Sequence, residues 1–285
     1  MEVAHEVPLE LLDISKIFND YDYALVHLFE EHPSYYSFFE DSLLEGRRVI
    51  LDNSLFELGE SFEADRFAYW IKKLKPTEYI VPDAWGDKNL TINQFKDFTK
   101  KYPNLPGKAI GVVQGSTWTE LFECYRFMSE HADKIAITFG LPCYLEQFGD
   151  NFSKDEKLVK ARQRFVYQLS TKKILNKKKP HHLLGCALPY EFSFYRDSSF
   201  IETIDTSSPI MAGINNVRYS GDKGLETKPE GKLADNLLAE LTFDQTSDII
   251  YNIRFFKQLI KDEKYLSLEK AIIDRELFLK QKKEK

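Results

Sequence analysis

Four apolar stretches of this sequence each end in one polar side chain that could take part in chemistry: Asp52, Asp83, Gln114 and Asp205. Each stretch contains β-branched or other apolar residues typical of a short strand. Packing explains the three acids poorly, because strand interiors disfavour Asp and protein cores exclude unpaired carboxylates. The repetition predicts that several strands deliver polar groups to one site.

Asp205 and Asp52 are suited to a reaction at a sugar carbon. One carboxylate can attack an anomeric centre while a second carboxyl group transfers a proton. These requirements make Asp205 a candidate nucleophile and Asp52 a candidate acid–base partner. Each acid could instead cap the turn or helix that follows its strand, and the spacing alone leaves both interpretations open.

Asp83 and Gln114 are suited to recognising a flat heterocycle. A carboxylate accepts hydrogen bonds from a ring N–H and an exocyclic amine, while a Gln amide donates to a carbonyl oxygen, and guanine offers this combination. Gln114 could equally be a buried amide that ties two loops together. Phe56 and Leu184 are candidates for the two faces of a base sandwich, although a core position would also suit Leu184.

The histidine pair His181–His182 does not predict a metal site. Adjacent residues of a regular strand point to opposite faces, so the two rings cannot bind one ion together. Both lie at the start of a predicted strand, which places them away from the candidate site. The sequence therefore predicts no metal ligand here.

Two basic stretches are candidates for nucleic-acid contacts. The run at 171–179 precedes a strand, so it is predicted to be a solvated surface opposite the catalytic face. The loop at 215–232 follows the last site strand and is better placed to contact phosphates. Its candidate basic residues are Arg218, Lys223, Lys228 and Lys232.

Strand and helix patterns alternate along the chain. Predicted strands cover 23–29, 47–52, 77–82, 108–114, 134–139, 182–187 and 201–204, with 210–214 as part of an eighth. Predicted helices cover 33–44, 62–74, 90–102 and 118–129, and one longer gap precedes residue 182. Residues 1–20 are expected to wrap the outside of the fold.

Repeated βα units favour a single, compact (β/α)8 barrel of the TIM type, with a doubly wound open sheet as the alternative. The 285 residues suffice for one such domain, and no linker marks a second. Strands and site would occupy about 22–215, followed by terminal helices at about 245–282. In a barrel the C-terminal strand ends share one face, so the four polar residues and Gly140 are predicted to lie together.

Composition narrows the class of protein. The net charge of −6 gives no overall basic field, so nucleic-acid binding would need a local patch. Three widely spaced cysteines argue against a disulfide framework and for a reducing compartment. The acidic N-terminus lacks the features of a signal peptide, and no apolar run approaches the ~20 residues of a membrane span. We therefore expect a soluble, cytoplasmic protein.

In chain order, these residues resemble the tRNA-guanine transglycosylase superfamily over about residues 48–215. The family's Gly-Ile-Val-Gln-Gly element is similar to Gly111–Gly115, which reads GVVQG and is the most specific of the matches. The other segments that resemble family motifs are Asp52–Phe56, Pro82–Trp85, Phe139–Leu141, His182–Cys186 and Ile204–Pro209. Their order and spacing are more specific than any single match.

The resemblance implies a barrel enzyme that exchanges guanine in a nucleic acid for a 7-deazaguanine of the preQ0 or preQ1 type. Asp205 would form a covalent bond to the sugar, and Asp52 would be the general acid and base. The base would be recognised and stacked by the positions that match the family's binding residues: Asp83, Gln114, Gly140, Leu141, Phe56, Leu184 and Gly185.

The sequence also departs from the tRNA enzymes. Their zinc-binding cysteines follow the nucleophile, whereas no cysteine follows Cys186 here, so we expect no cofactor and no zinc-binding subdomain. The chain is more similar to zinc-free, often phage-encoded paralogues that modify DNA. DNA is therefore the expected partner, with tRNA second, and a partner protein remains open. An N-glycosidase that uses water as acceptor, or a catalytically silent barrel that binds nucleic acid or a partner, are the alternatives.

Overall fold

Within residues 1–260, which the computed structural model describes, eight parallel strands form one nearly closed barrel. They are β1 (Glu2–His5), β2 (Asp22–Leu25), β3 (Val49–Asp52), β4 (Glu78–Ile80), β5 (Lys108–Val113), β6 (Lys134–Ile137), β7 (His181–Leu183) and β8 (Ile201–Thr206). Their order is β1-β8-β7-β6-β5-β4-β3-β2, and β1 lies beside β2 where the barrel closes. The (β/α)8 barrel prediction is confirmed, and the open-sheet alternative is wrong.

Helices occupy most of the connections between the strands and the segment that follows β8. They are α1 (Leu12–Phe18), α2 (Leu28–Glu31), α3 (Pro33–Leu44), α4 (Leu55–Leu58), α5 (Ala64–Leu74), α6 (Lys88–Lys101), α7 (Trp118–His131), α8 (Pro142–Leu145), α9 (Lys154–Thr171), α10 (Ser208–Ile214) and α11 (Phe243–Leu259). Short 3-10 helices cover Leu9–Leu11, Pro189–Tyr195 and Ala234–Asn236. The longer helices bury apolar faces against the strands, as the helical spacing predicts.

Residues Glu2–His5 form a strand of the barrel, so the expectation that residues 1–20 wrap the outside is wrong for this part of the segment. β1 pairs with β8 in parallel, with Ala4 opposite Asp205. Asn19 accepts a hydrogen bond from the His5 backbone N–H at 2.7 Å and fixes this strand to the segment that enters β2. The sequence concealed the strand because only two apolar residues, Val3 and Ala4, separate Glu2 from His5.

The predicted strand at 210–214 is also wrong, because these residues belong to α10. Pro209 stands in the first turn of this helix, a position where its missing N–H is tolerated. Gly213 lies against α11, and a Cβ there would be 2.4 Å from Ile249 Cγ1. A short helix that is buried on nearly all sides shows no amphipathic period, so its sequence resembles that of a buried strand.

Two predicted strands extend too far toward the C-terminus. The strand predicted at 23–29 ends at Leu25, and the one at 182–187 ends at Leu183, where the chain turns to Gly185 with φ of +63°. Of the terminal helices predicted at 245–282, the part up to Leu259 is confirmed as α11, and 261–282 lie outside the described residues. Within residues 1–260, no helix has the length and apolar character needed to cross a membrane.

Charged side chains fill the N-terminal end of the barrel. The fully buried Lys134 ammonium lies 3.2 Å from Glu78 and 2.9 Å from Glu202, and Arg48 pairs with the same two acids at 2.7 Å. Each charge has an opposite partner, which is what burial requires. This network closes the end of the barrel that lies away from the C-terminal strand ends.

Candidate active site

The C-terminal strand ends surround a cavity of about 980 Å³, including the part that is open to solvent. All eight strands contribute residues at or just after their ends: Glu6, Tyr23, Leu25, Asp52, Asn53, Asp83, Gln114, Thr138, Phe139, Leu184, Gly185 and Asp205. The cavity therefore contains all four of the polar residues that the sequence selected. Their convergence follows from the parallel arrangement of the barrel strands.

Asp205 is buried at the floor of the cavity and accepts several hydrogen bonds. The His182 ring meets Oδ1 through Nε2 at 2.9 Å, and the Gly185 backbone N–H lies 3.2 Å from both carboxylate oxygens. Thr203 Oγ1 lies 2.9 Å from His182 Nδ1. Burial lowers the pKa of His182, so the ring is neutral; Thr203 then donates to Nδ1 and Nε2–H donates to Asp205. These donors orient the carboxylate and stabilise its negative charge.

The prediction that the histidine pair lies away from the site is wrong for His182. Its ring points into the barrel, where it stacks on Tyr23 with centroids 5.9 Å apart. His181 points outward and bonds to the Tyr125 hydroxyl at 2.8 Å, so the two rings do face opposite sides. β7 has only three residues, so even a residue near its start reaches the nucleophile candidate.

Asp52 has a different environment from Asp205. It accepts hydrogen bonds from the Tyr23 hydroxyl and from the Ser54 backbone N–H, the latter at 2.6 Å. Burial and then the neighbouring Glu57 carboxyl raise the pKa of Asp52 to about 8. Asp52 is therefore mostly protonated at neutral pH. It faces the same cavity as Asp205, whose carboxylate accepts the contacts from His182 and the Gly185 N–H. Two acids with such unequal surroundings are suited to different roles.

The β3, β4 and β5 ends hold a buried network of amides around Asp83. Asn53 Nδ2 donates to Asp83 Oδ1 at 2.8 Å, and Gln114 Nε2 donates to Oδ2 at 2.7 Å. The Gly86 backbone N–H donates to Gln114 Oε1 at 3.0 Å and fixes the orientation of that amide. Burial raises the pKa of Asp83 to about 6. Gln114 thus ties two loops together, as one interpretation held, and it also lines the cavity.

The remaining predicted binding residues divide into two groups. Phe56, Leu184 and Gly185 line the cavity, and Phe56 stays 49% exposed at its mouth. Gly140 and Leu141 are not among the described residues that line it. Leu141 is buried in the core, and Gly140 packs beside the Trp85 indole, which lines the mouth together with Phe139.

The four basic candidate residues also fall into two pairs, one at the cavity and one outside it. Lys228 and Lys232 line the mouth of the cavity, with their ammonium groups 5.4 and 4.9 Å from the centre of the Phe56 ring. Arg218 forms an ion pair with Asp248, and Lys223 lies 3.3 Å from Glu156. The first pair of cations therefore lies at the cavity, whereas the second pair is engaged with acids outside it.

Sequence reasoning missed two further carboxyls in the cavity, Glu6 and Glu57. Glu6 follows β1, the strand that pairs with β8, and lines the same cavity as Asp205. Burial and the nearby carboxylates, Asp205 first, raise its pKa well above the usual value. The signal was present, since Glu6 follows the short run Val3–His5 in the same way that Asp52 follows its strand, but the run was too short to recognise.

Arg162 on α9 supports the wall beside Asp205. Its fully buried guanidinium pairs with Glu191 at 2.5 and 2.9 Å and donates to the backbone carbonyls of Leu184 at 2.6 Å and Gly185 at 2.9 Å. The same group lies 5.0 Å from the centre of the Phe139 ring. Arg162 therefore holds the segment that supplies the Gly185 N–H to Asp205 and places Leu184 in the cavity.

We expect Arg162→Met to lower the free energy of unfolding by about 3 kcal/mol or more, because it leaves the Glu191 carboxylate buried without its cation. Urea denaturation measures the change. Arg162→Met/Glu191→Leu should recover much of the loss, because no charge then remains buried. Lys101→Met removes an exposed pair with Asp65 and should leave the midpoint nearly unchanged. A single Arg162 variant as stable as the wild type would contradict this account.

Within residues 1–260, no group of three or more His, Cys, Asp or Glu side chains is arranged to hold a metal ion. The three cysteines are free and buried. No protein-family model matches the chain, and no curated protein is similar enough to count as a relative.

Proposed function

We propose that this protein is a base-exchange transglycosylase that replaces guanine in DNA with a 7-deazaguanine through a covalent bond between Asp205 and sugar C1′. One observation carries the proposal: Asp205 and Asp52 share one cavity but have unequal surroundings, because burial and the neighbouring Glu57 carboxyl favour the acid form of Asp52. Asp205 is surrounded by donors that stabilise a carboxylate, whereas Asp52 holds a proton at neutral pH. A nucleophile and a general acid need this difference.

In the first half of the proposed reaction, an Asp205 oxygen attacks C1′ as the bond from C1′ to guanine N9 breaks. The electron pair of the broken bond goes to guanine, and Asp52 supplies the proton that makes it a neutral leaving group. Asp52 is then a carboxylate, and the sugar is held as an ester of Asp205. The hydrogen bonds from His182 and the Gly185 N–H to Asp205 weaken as the charge on Asp205 is neutralised.

In the second half, a 7-deazaguanine replaces guanine in the cavity. The Asp52 carboxylate takes the proton from N9 of this base, and N9 attacks C1′ as the ester bond to Asp205 breaks. Asp205 returns to a carboxylate and Asp52 returns to the acid, so the cycle needs no other reactant. Attack by water in place of the base would make the protein an N-glycosidase.

The amide network around Asp83 supports a guanine-like base. Asp83 accepts from Asn53 and Gln114 in the free protein, and each oxygen keeps a lone pair for a ring N–H or an exocyclic amine. Phe56 and Leu184 line the same cavity and offer apolar surface to the faces of a flat ring. A 7-deazaguanine presents the same donor and acceptor edge as guanine, so one pocket serves both halves of the exchange.

DNA is the proposed polymer and tRNA is second. Lys228 and Lys232 supply positive charge at the mouth of the cavity in a chain that is acidic overall, so the attraction for phosphates is local. Trp85, which is 40% exposed there, and Phe56 are available to stack with an extruded base or its neighbour. Free cysteines favour a reducing cytoplasm as the place of action.

The test measures incorporation of labelled guanine, and separately of labelled 7-deazaguanines, into duplex DNA and into tRNA. We expect label in DNA at guanine positions. Label in tRNA alone would replace the DNA proposal with a tRNA enzyme. Release of free guanine without incorporation would establish an N-glycosidase, and no reaction with either polymer would count against an enzyme.

A further inference from the structure

Glu6 and Asp205 lie side by side on the wall opposite the base-recognising network. Ala4 of β1 is in register with Asp205 of β8, and Glu6 stands two residues further along and lines the same cavity as Asp205. Asp83 and Gln114 follow β4 and β5, which lie across the barrel from β8 and β1. A nucleotide whose base meets Asp83 therefore places its sugar between the base pocket and this pair of carboxyls.

The stereochemistry of the proposed reaction fixes which face of the sugar meets Asp205. A nucleophile that displaces the base attacks C1′ from the face opposite to it. In a ribonucleoside the 2′-hydroxyl lies on that attacked face, on the adjacent carbon, so it approaches the nucleophilic carboxylate. In glycosidases with a carboxylate nucleophile, hydrogen bonds to the corresponding hydroxyl strengthen in the transition state.

We infer that Glu6 occupies the position that a ribose 2′-hydroxyl would take beside Asp205, and that it thereby selects deoxyribose. The inference rests on the proposed function. His182 and the Gly185 N–H approach Asp205 from β7, whereas the Glu6 carboxyl approaches it from β1, on the other side. A side chain in that place fills the space next to C2′ and supplies the hydrogen bond that deoxyribose cannot make.

The protonation of Glu6 agrees with this role. Burial and the charge of Asp205 raise the pKa of Glu6, which favours the protonated form of its carboxyl, and a protonated carboxyl can donate a hydrogen bond to Asp205. A 2′-hydroxyl would donate to the same carboxylate. The 2′-hydroxyl of ribose would therefore have to enter the space beside Asp205 that Glu6 already fills. Deoxyribose has no hydroxyl there, so its C2′ can pack against Glu6.

The test compares two DNA duplexes of one sequence that differ only in the target nucleotide, which is either deoxyguanosine or a single riboguanosine. For each duplex, kcat/KM for labelled guanine exchange and the Kd for binding are measured. We expect the wild type to prefer the deoxy target by about tenfold or more, and Glu6→Ala to reduce that ratio about tenfold by improving the ribo target. Glu6→Gln should keep the preference, because its amide has the same size and donates to Asp205.

Asp13→Ala, at an exposed acid of the same N-terminal region, is the matched control and should keep the wild-type ratio. Glu6→Ser replaces Glu6→Ala if the latter does not fold, as judged by urea denaturation. A deoxy-to-ribo ratio unchanged in the Glu6 variants, or a wild type that prefers the ribo target, would overturn the inference. Absence of exchange with both duplexes would overturn the proposed function alone, because the ratio of Kd values would still test Glu6.

Discussion

Asp205→Asn is expected to lower the rate of base exchange by at least roughly four orders of magnitude while the protein remains folded. An Asn side chain has nearly the same size, but its amide is not a nucleophile and cannot form the ester with C1′. If the Asn NH2 group faces the His182 Nε2–H, two hydrogen-bond donors oppose each other and that hydrogen bond is lost. Single-turnover exchange of labelled guanine measures the rate, and urea denaturation measures the stability.

The covalent intermediate gives this expectation a second readout. Wild-type protein that is denatured during turnover should carry the oligonucleotide as an ester on Asp205, visible by intact mass, and Asp205→Asn should carry none. Asp65→Asn is a suitable control, because Asp65 is exposed and pairs only with Lys101 in the described part of the chain. A substantial exchange rate in Asp205→Asn, or an adduct that persists in it, would refute the assignment of the nucleophile.

His182 positions Asp205 but takes no direct part in the proposed reaction. The imidazole does not touch the sugar in the proposed reaction, so His182 acts only through the carboxylate that it orients. Its pairing with Thr203 fixes which nitrogen carries the proton. The arrangement explains how a buried, neutral ring can support a nucleophile without itself transferring a proton.

The parts of the site that the sequence could predict are those whose position follows from strand direction. Asp52, Asp83, Gln114 and Asp205 each end an apolar run, and the parallel barrel brings such ends together whatever the details of packing. Their predicted convergence is confirmed in the cavity. Phe56 was placed correctly with them because it lies on the first turn after β3.

The parts that were missed depend on contacts between residues distant in sequence. Glu6 reaches Asp205 only because β1 pairs with β8, the last strand of the chain, and Arg162 reaches Gly185 from a helix that precedes β7. His182 was misplaced because alternation along a strand gives the face of a side chain but not its depth in the barrel. Gly140 was misplaced because its loop turns toward Trp85, which no periodicity encodes.

The pH dependence of the first half-reaction should report on Asp52. Burial and the Glu57 carboxyl raise the pKa of Asp52 to about 8, so its acid form predominates below that pH and is lost above it. Because the leaving guanine needs this proton, we expect kcat/KM for the nucleic acid to be maintained up to about pH 8 and then to fall as pH rises. An ordinary exposed Asp would already have lost its proton near pH 4.

Asp52→Asn should lower exchange by roughly two to four orders of magnitude and abolish the decline above pH 8, because the amide cannot supply the proton. Glu57→Gln is the matched variant. It keeps the acid but removes the neighbouring charge that helps to raise the Asp52 pKa, so the decline should move to lower pH with activity retained. The pKa of Glu57 itself is raised to about 7, chiefly by burial, so Glu57 is the alternative proton donor. If the decline in kcat/KM disappears in Glu57→Gln but persists in Asp52→Asn, the proton comes from Glu57 instead.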